Sequence, residues 1–275
     1  MNSSPEKAHP VILTIATSDS GGGAGVQADI KTVTSLGGFG TSVFAALTAQ
    51  NGAEVRGIHA VPTDFIRLQL QTVRDGFPVR AAKTGMLFSA EIMDALADEL
   101  AGKDFPLVVD PVSVSQSGYQ LMQDDAVEHM IRRIVPLADL LTPNRPEAEL
   151  LSGVPIAGSA DVEKAAAVLL EKGAGAVLIK GGHLSEYDNE RTIVDWLALP
   201  GQKPMPLAHE RIDTSDNHGT GCTLSAAIAT FLGFGNTLED SIRKAQEYLG
   251  RALAAGFNAG IGAGSPNFMA GAGKE

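Results

Sequence analysis

The chain has 275 residues, a formal net charge of −11 and a single cysteine, and 44% of its residues are hydrophobic. This length fits one large α/β domain or two small ones with an ample core, and the acidic balance argues against nucleic acid or an anionic membrane as the main partner. One cysteine excludes an intrachain disulfide and a cysteine-based structural zinc site, and it fits a reducing cytoplasm.

The two ends of the chain predict little packed structure. Residues 1–7 are polar and lack the apolar core of a signal peptide. Residues 260–275 are rich in glycine and alanine, which predicts a loosely held tail. No stretch approaches the ~20 apolar residues of a membrane span. We therefore expect an ordered core from about residue 11 to 268, with residues 1–9 and 269–275 flexible.

Short apolar runs alternate with helical patterns between these ends. The predicted strands are residues 11–16, 41–47, 81–84, 107–109, 139–142, 176–180 and 192–199. The predicted helices are residues 26–36, a segment after 62–64, and residues 92–100, 126–135, 160–170, 223–229 and 238–253. Continuous apolar strands between helices are typical of a parallel sheet covered on both faces, here in a single domain. Residues 189–211 break the rhythm and predict an edge hairpin or a lid.

A glycine-rich loop, residues 19–25, follows the first predicted strand. Its sequence Asp-Ser-Gly-Gly-Gly-Ala-Gly is not a dinucleotide fingerprint, because Val26 stands where the third glycine belongs. The chain also contains no phosphate-binding P-loop motif. The loop is either part of a ligand site at the sheet edge or a flexible turn.

The sequence His218-Gly219-Thr220-Gly221-Cys222 immediately precedes an apolar, alanine-rich helix. Its glycines allow a sharp turn and a close approach of the backbone to a ligand. The first N–H groups of a helix lack partners, and with the helix dipole they form a site suited to phosphate. A thiol at such a position is expected to be acidic. The alternative is a glycine turn followed by a small buried cysteine.

Acidic, amide and basic side chains follow three further strands. Asp110 ends one strand, and Asn144 and Glu147 follow the next with the spacing of one helical turn. Their oxygen atoms suit magnesium held through water and phosphate, although a helix cap with a first-turn acid is the simpler interpretation of the second pair. Lys180, in Lys180-Gly181-Gly182-His183, lies where it could reach nucleotide phosphates. We call residues 219–221, at the start of the alanine-rich helix, the glycine cradle. Together with this cradle, these groups are typical of phosphoryl transfer.

With these motifs the chain resembles hydroxymethylpyrimidine/phosphomethylpyrimidine kinases of thiamine biosynthesis, in the ribokinase-like superfamily, from about residue 11 to 268. The resemblance is carried by residues 18–19, 22–29, 46–51, 83–87, 110–112, 142–144, 147, 180–183 and 218–226. It implies an α/β, ribokinase-like fold with a central, mostly parallel sheet flanked by helices on both faces, and commonly a homodimer.

The resemblance also implies a reaction and its cofactors. ATP, with Mg²⁺, phosphorylates the hydroxyl of 4-amino-5-hydroxymethyl-2-methylpyrimidine, and a second ATP converts the monophosphate to the diphosphate. The small-molecule substrate contacts Gln50, with Asp29, Ala24, Met86 and Val112 at other pocket positions. Cys222 matches the catalytic base, which is aspartate in sugar kinases, and Gly219, Thr220 and Gly221 match the anion hole. Lys180 and Asn144 are expected at the nucleotide, and Asp110 and Glu147 at the metal.

Two local departures from the family pattern carry expectations of their own. Ser20-Gly21 replaces Pro-Ser in the first loop, which predicts a more flexible loop. Residues 113–118 differ from the usual Met-Val-Ala-Lys-Ser-Gly, and Gln116 stands in place of the lysine. The missing positive charge affects the second phosphorylation more than the first, because the second substrate is already anionic.

Three other functions fit part of this pattern. Pyridoxal kinase is the nearest alternative, because these enzymes share the fold and act on ring-like substrates. A sugar kinase is disfavoured by Cys222 at the aspartate position. A non-catalytic pyrimidine-binding sensor is disfavoured by the complete set of Asp110, Glu147, Lys180 and Cys222.

Overall fold

The structure, a computed structural model, describes residues 9–112, 126–181 and 191–272. Two parts of the sequence interpretation, the segment 113–118 with Gln116 and the pair Gly182-His183, lie outside the described residues. The strands are β1 Val11–Asp19, β2 Phe39–Gln50, β3 Val55–Ala60, β4 Val79–Thr84, β5 Leu107–Val109, β6 Leu140–Leu141, β7 Val177–Ile179, β8 Thr192–Ala198 and β9 Met205–Glu210. The helices are α1 Gly25–Ser35, α2 Thr63–Gly76, α3 Ala90–Leu100, α4 Ala126–His129, α5 Arg145–Ser152, α6 Ser159–Glu171, α7 Thr220–Gly233, α8 Leu238–Ala254 and α9 Phe268–Gly271.

The described strands form one sheet in the order β3-β2-β1-β4-β5-β6-β7-β8-β9. From β2 to β7, neighbouring strands pair in parallel. At one edge β3 is antiparallel to β2, and at the other β8 and β9 form an antiparallel hairpin on β7. The predicted mostly parallel sheet and the predicted edge hairpin are both confirmed.

Helices cover both faces of the sheet, and successive strand residues point to opposite cores. In β5, for example, Leu107 and Val109 belong to the core beneath α2–α6, whereas Val108 belongs to the core beneath α1, α7 and α8. All three residues are fully buried. Burial on both faces explains why the central strands are continuous apolar runs.

Two stretches differ from the sequence-based expectations. The helix predicted over residues 126–135 is α-helical only in α4 and continues as a π-turn, Met130–Ile134, and a 3₁₀ turn, Val135–Leu137. The proline at position 136 lies within that last turn, where its ring cannot continue an α-helix. Strand β3 was not predicted, because its exposed positions include arginine and histidine and leave no apolar run.

The segment 257–272, which includes most of the loosely held tail expected over residues 260–275, folds back on the domain. Phe257 pairs with Ser265, and the N–H of Ala263 donates to the carbonyl of Gly52 at 3.0 Å. Tyr248 on α8 donates its hydroxyl to the carbonyl of Phe268. Small residues allow this close packing: a Cβ on Gly262 would lie 2.1 Å from the Gly52 carbonyl oxygen.

Among residues 9–112, 126–181 and 191–272, the helices are too short or too polar to cross a membrane.

Candidate active site

A cavity of about 500 Å³ opens where the central strands end. Its walls come from the carboxyl ends of β1, β2 and β4, from the loops after β5, β6 and β7, and from the first turn of α7. The predicted site residues that line it are Ala24, Gln50, Met86, Asp110, Val112, Asn144, Glu147, Lys180, Gly219, Thr220, Gly221 and Cys222. This is the edge at which open α/β sheets bind ligands.

The first glycine loop is organised by the buried carboxylate of Asp19. One of its oxygens accepts the N–H of Gly21 at 2.8 Å, and the other accepts the N–H groups of Gly23 and Ala24 at 3.1 and 2.8 Å. Burial raises the pKa of Asp19, but these bonds and the bond to His218 outweigh it, so the pKa is lowered overall. The loop is therefore held by a carboxylate and its backbone donors, which contrasts with the flexible loop expected from the sequence.

The second glycine loop packs directly on the first. His218 Nε2 lies 3.1 Å from Asp19 Oδ2, and a Cβ on Gly219 would lie 1.9 Å from the carbonyl oxygen of Gly23. Gly219 is also left-handed, with φ of 85°, and it is the N-cap of α7. Glycine is required here both for the backbone angle and for the contact. The two loops therefore form one unit, which places the starts of α1 and α7 beside the same cavity.

Cys222 is half-buried on the first turn of α7. Desolvation raises the pKa of its thiol to about 11, even though Lys83 and the N–H of Gly25 act to lower it. The carboxylates of Asp29 and Asp110 add to the rise. The prediction of an acidic thiol is therefore wrong for this structure, because burial and two nearby negative charges outweigh the helix start.

Lys83 and Asp29 form a buried ion pair behind the cavity. Lys83 Nζ donates to the two carboxylate oxygens of Asp29 at 2.8 and 2.9 Å, and the hydroxyl of Thr14 donates to the same carboxylate at 2.6 Å. Desolvation lowers the pKa of Lys83, but Asp29 and the other acids raise it by more, so the amine stays charged. Lys83 lines the cavity, whereas Asp29, predicted to touch the substrate, lies behind the wall and holds Lys83 in place.

A second ion pair lies against the start of α7. Lys180 Nζ donates to Asp110 Oδ1 at 2.9 Å, and Asp110 is only 2% exposed. A Cβ on Gly221 would lie 3.4 Å from both Asp110 Oδ2 and Lys180 Nζ. Desolvation lowers the pKa of Lys180, but Asp110 and Glu147 outweigh this effect and raise it overall. The cavity thus holds two charged ammonium groups beside the glycine cradle, each paired with a carboxylate.

Asn144 and Glu147 form the capping box of α5. The Asn144 side chain accepts the N–H of Glu147 at 2.9 Å, and Glu147 Oε2 accepts the N–H of Asn144 at 2.8 Å. The simpler interpretation, a helix cap with a first-turn acid, is thus confirmed, and both residues also line the cavity. Within the described residues, three or more acidic, histidine or cysteine side chains do not cluster as a metal cage.

Four of the five substrate-binding residues predicted by resemblance, all except Asp29, line the cavity. Gln50 ends β2, and its side-chain oxygen lies 3.2 Å from the hydroxyl of Thr48. Met86 is fixed by its carbonyl, which accepts both the N–H and the hydroxyl of Thr17. Met86 and Val112 supply apolar surface beside the amide of Gln50. A flat heterocycle with polar edges is the type of ligand that such a wall accommodates.

Among the residues without a predicted role, Thr48 and Lys83 line the cavity, and Ser20 hydrogen-bonds to Gln50. Lys83 did carry a signal, because it interrupts an apolar strand and a lysine in a buried strand needs a partner. Ser20 and Thr48 carried none, because their roles depend on which backbone groups lie opposite them in the folded chain.

The sequence matches the family model of phosphomethylpyrimidine kinases over residues 19–267. It is 42% identical to a hydroxymethylpyrimidine/phosphomethylpyrimidine kinase of Haemophilus influenzae, covering 94% of this chain and 96% of the relative. It is 44% identical to the kinase of that name from Streptomyces coelicolor, covering 94% of each.

Solved structures of two kinds are similar. A pyridoxal kinase from Staphylococcus aureus in complex with pyridoxal has a TM-score of 0.85 at 31% identity, covering 96% of this chain and 94% of its own. A phosphomethylpyrimidine kinase from Clostridium difficile has a TM-score of 0.76 at 37% identity, covering 87% and 97%. The expected ribokinase-like α/β fold is confirmed by these likenesses. The match over residues 19–267 and the relatives at more than 40% identity lead to one conclusion: this chain belongs to the phosphomethylpyrimidine kinase family.

Proposed function

We propose that this chain uses ATP to phosphorylate the hydroxyl of 4-amino-5-hydroxymethyl-2-methylpyrimidine, and then phosphorylates the monophosphate to the diphosphate. The observation that carries the proposal is the composition of one cavity. Its walls combine the amide of Gln50 and the apolar side chains of Met86 and Val112 with the glycine cradle, Cys222 and two charged lysines. Ring recognition and phosphoryl transfer are therefore supported within one site.

In this mechanism the protein acts mainly by positioning and by charge. The amide of Gln50 hydrogen-bonds the ring and directs the hydroxymethyl group towards Cys222. The N–H groups at the start of α7 and the ammonium of Lys83 stabilise negative charge on the transferring phosphoryl group. Because this transition state is loose, the hydroxyl proton leaves late, and the thiolate form of Cys222 accepts it and becomes the thiol. The cradle therefore contributes more to the rate than the base does.

ATP and Mg²⁺ are part of the proposal. In this proposal Lys180 and Asn144 would bind the nucleotide, and Asp110 and Glu147 would hold the metal. Two carboxylates without further protein ligands fit magnesium, which keeps several waters and binds largely through nucleotide phosphates. When bound, the ion neutralises phosphate charge. Asp110 already accepts a bond from Lys180, so its role is shared between the metal and that ammonium group.

The test is an assay of ADP release with the pyrimidine alcohol, its monophosphate, pyridoxal and ribose in parallel. The proposal expects turnover with the alcohol and with the monophosphate, and little with ribose. Binding of the alcohol without ADP release would identify a sensor instead. Turnover of the alcohol but not of the monophosphate would limit the function to the first step.

Pyridoxal phosphorylation is the second candidate. It is favoured by the similarity to pyridoxal kinases, one of which was solved with pyridoxal bound, at TM-scores near 0.85. The higher identity to pyrimidine kinases places it second. A kcat/KM for pyridoxal above that for the pyrimidine alcohol would reverse this order.

We also propose that residues 11–268 act as one kinase domain and that the protein is a homodimer. Phe39 and Phe77 stack with ring centroids 5.8 Å apart and are 51% and 41% exposed, which offers apolar surface for a partner chain. Light scattering at micromolar concentration checks the dimer, and a monomer mass would contradict it.

A further inference from the structure

The side chain of Ser20 links the first glycine loop to the backbone of Gln50. The Ser20 hydroxyl accepts the N–H of Gln50 at 2.8 Å and donates to the carbonyl of the same residue at 2.8 Å. A serine hydroxyl has one proton and two lone pairs, so it can make both bonds at once. Both polar groups of one residue's main chain are thus fixed by a single side chain from another loop.

This contact occurs where the sheet stops fixing the backbone. The pairing of β1 with β2 ends at Asp19 and Thr48. The pairing of β2 with β3 is irregular between Ala49 and Gln50. Gln50 therefore lies past the regular ladder on one side and at a break on the other. The hydroxyl of Ser20 takes the place of the backbone partners that a further strand residue would have supplied.

The side chain of Gln50 lies beside a different residue. The hydroxyl of Thr48 is 2.8 Å from the carbonyl oxygen of Ser18 and 3.2 Å from Gln50 Oε1, and its one proton can be donated to only one of them at a time. Ser20 therefore fixes the main chain of Gln50 with two bonds, whereas the side-chain amide shares the proton of Thr48 with Ser18. Thr48 is almost fully buried, whereas Ser20 is exposed, so Ser20 can be changed without opening the core.

We propose that Ser20 is a positioning residue for substrate recognition, acting through Gln50. The proposal rests on the proposed function, in which the amide of Gln50 binds the pyrimidine ring. The side-chain hydrogen bonds of Ser20 are made to Gln50, and they reach neither Lys180 nor Cys222. Loss of its hydroxyl therefore weakens binding of the pyrimidine and leaves ATP binding and the chemical step unchanged.

The central experiment measures kcat and both KM values for Ser20→Ala. Two neutral hydrogen bonds are lost, so the KM for the pyrimidine alcohol should rise about fivefold or more, while kcat and the KM for ATP stay within about twofold of wild type. Ser20→Thr keeps the hydroxyl and should restore the wild-type KM. Ser35→Ala is the matched control, because Ser35 also makes two side-chain hydrogen bonds but lies on α1 away from the cavity.

A double-mutant cycle tests whether Ser20 acts through Gln50. In a Gln50→Leu background, Ser20→Ala should change the KM for the alcohol by less than about twofold. The same rise in both backgrounds would overturn the proposal, and so would an unchanged KM in the single variant or failure of Ser20→Thr to restore it. Wild-type protein that does not phosphorylate the alcohol would instead overturn the proposed function, which is read before any variant is compared.

Discussion

At Cys222, opposing charges determine whether a thiol can act as a base. The positive charge of Lys83 lowers the pKa of the thiol, the negative charges of Asp29 and Asp110 raise it, and desolvation decides the balance in favour of the protonated form. A sequence places a cysteine at a helix start but does not show which acids fold next to it. The motif therefore predicted a lowered pKa for Cys222, whereas the pKa is raised.

The pH dependence of Cys222 variants follows from this balance. With a pKa of about 11, the thiolate fraction of the free enzyme rises about tenfold per pH unit below that value, so kcat/KM of the wild type should rise between about pH 7 and pH 9. Cys222→Ala should be about 100-fold slower, with a flatter profile, and should still bind the alcohol. Steady-state kinetics and calorimetry measure both. A wild-type rate in the alanine variant across this range would contradict the base role.

The substitution Glu147→Gln changes the charge at the site without changing the fold. Gln at this position still accepts the N–H of Asn144, so Glu147→Gln keeps the capping box of α5 and removes only the negative charge. At limiting Mg²⁺ the variant should lose activity by about tenfold, and higher Mg²⁺ should restore part of it. Titration of Mg²⁺ against kcat checks this, with the thermal midpoint as the control for folding. An unchanged Mg²⁺ dependence would remove Glu147 from the metal site.

At the scale of elements, the two glycines at the start of α7 differ in how strictly glycine is required. A Cβ on Gly219 would collide with the backbone of Gly23, and its backbone is left-handed. A Cβ on Gly221 would make only ordinary contacts with the Asp110–Lys180 pair.

This difference predicts a graded series of variants. Gly219→Ala should separate the two glycine loops and lower kcat by about 100-fold or more, because the N–H groups of the cradle move. Gly221→Ala should retain most activity, and Gly221→Val should lose much of it by intruding on the ion pair. Kinetics and thermal unfolding of the three variants test the order. Gly219→Ala with greater activity than Gly221→Val would contradict it.

The sequence allowed most elements to be predicted but few of their contacts. Apolar periodicity predicts the parallel strands and helices α1, α3, α6 and α8, because burial on one or both faces of an element fixes the spacing of its apolar residues. Helix α5 was recognised only as a cap, because Pro146 and three acidic or basic residues mask its pattern. The grouping of Gln50, Asp110 and Lys180 at one sheet edge was predictable from strand ends alone. The pairing of Asp29 with Lys83 and of Ser20 with Gln50 was not, because the partners lie 54 and 30 residues apart in the sequence.

At the scale of the whole molecule, residues 257–272 join two loops that lie next to the site. The N–H of His218 donates to the carbonyl of Gly264 at 2.9 Å, and Ala263 donates to Gly52 in the turn after Gln50. The segment thereby contacts both the cradle loop and the ring-binding end of β2.

Removal of this segment should therefore damage the site more than its small size suggests. A chain ending at residue 256 should lose most activity and unfold at lower temperature, because His218, Gly52 and Tyr248 all lose partners. A chain ending at residue 272 keeps every one of these contacts and is the control. Activity and thermal midpoints measure both. Wild-type kinetics in the shorter chain would show that the segment does not support the site.

The same segment has a consequence for synthesis on the ribosome. Gly52 is translated about two hundred residues before its partner Ala263, and His218 precedes Gly264 by more than forty. The sheet and both glycine loops can form while the chain is still attached to the ribosome. The segment 257–272, which holds them in place, emerges last, after α8. Closing so long a loop is slow relative to local helix formation. A nascent chain paused at α8 would therefore carry every residue that lines the cavity and still lack the contacts that hold them in place.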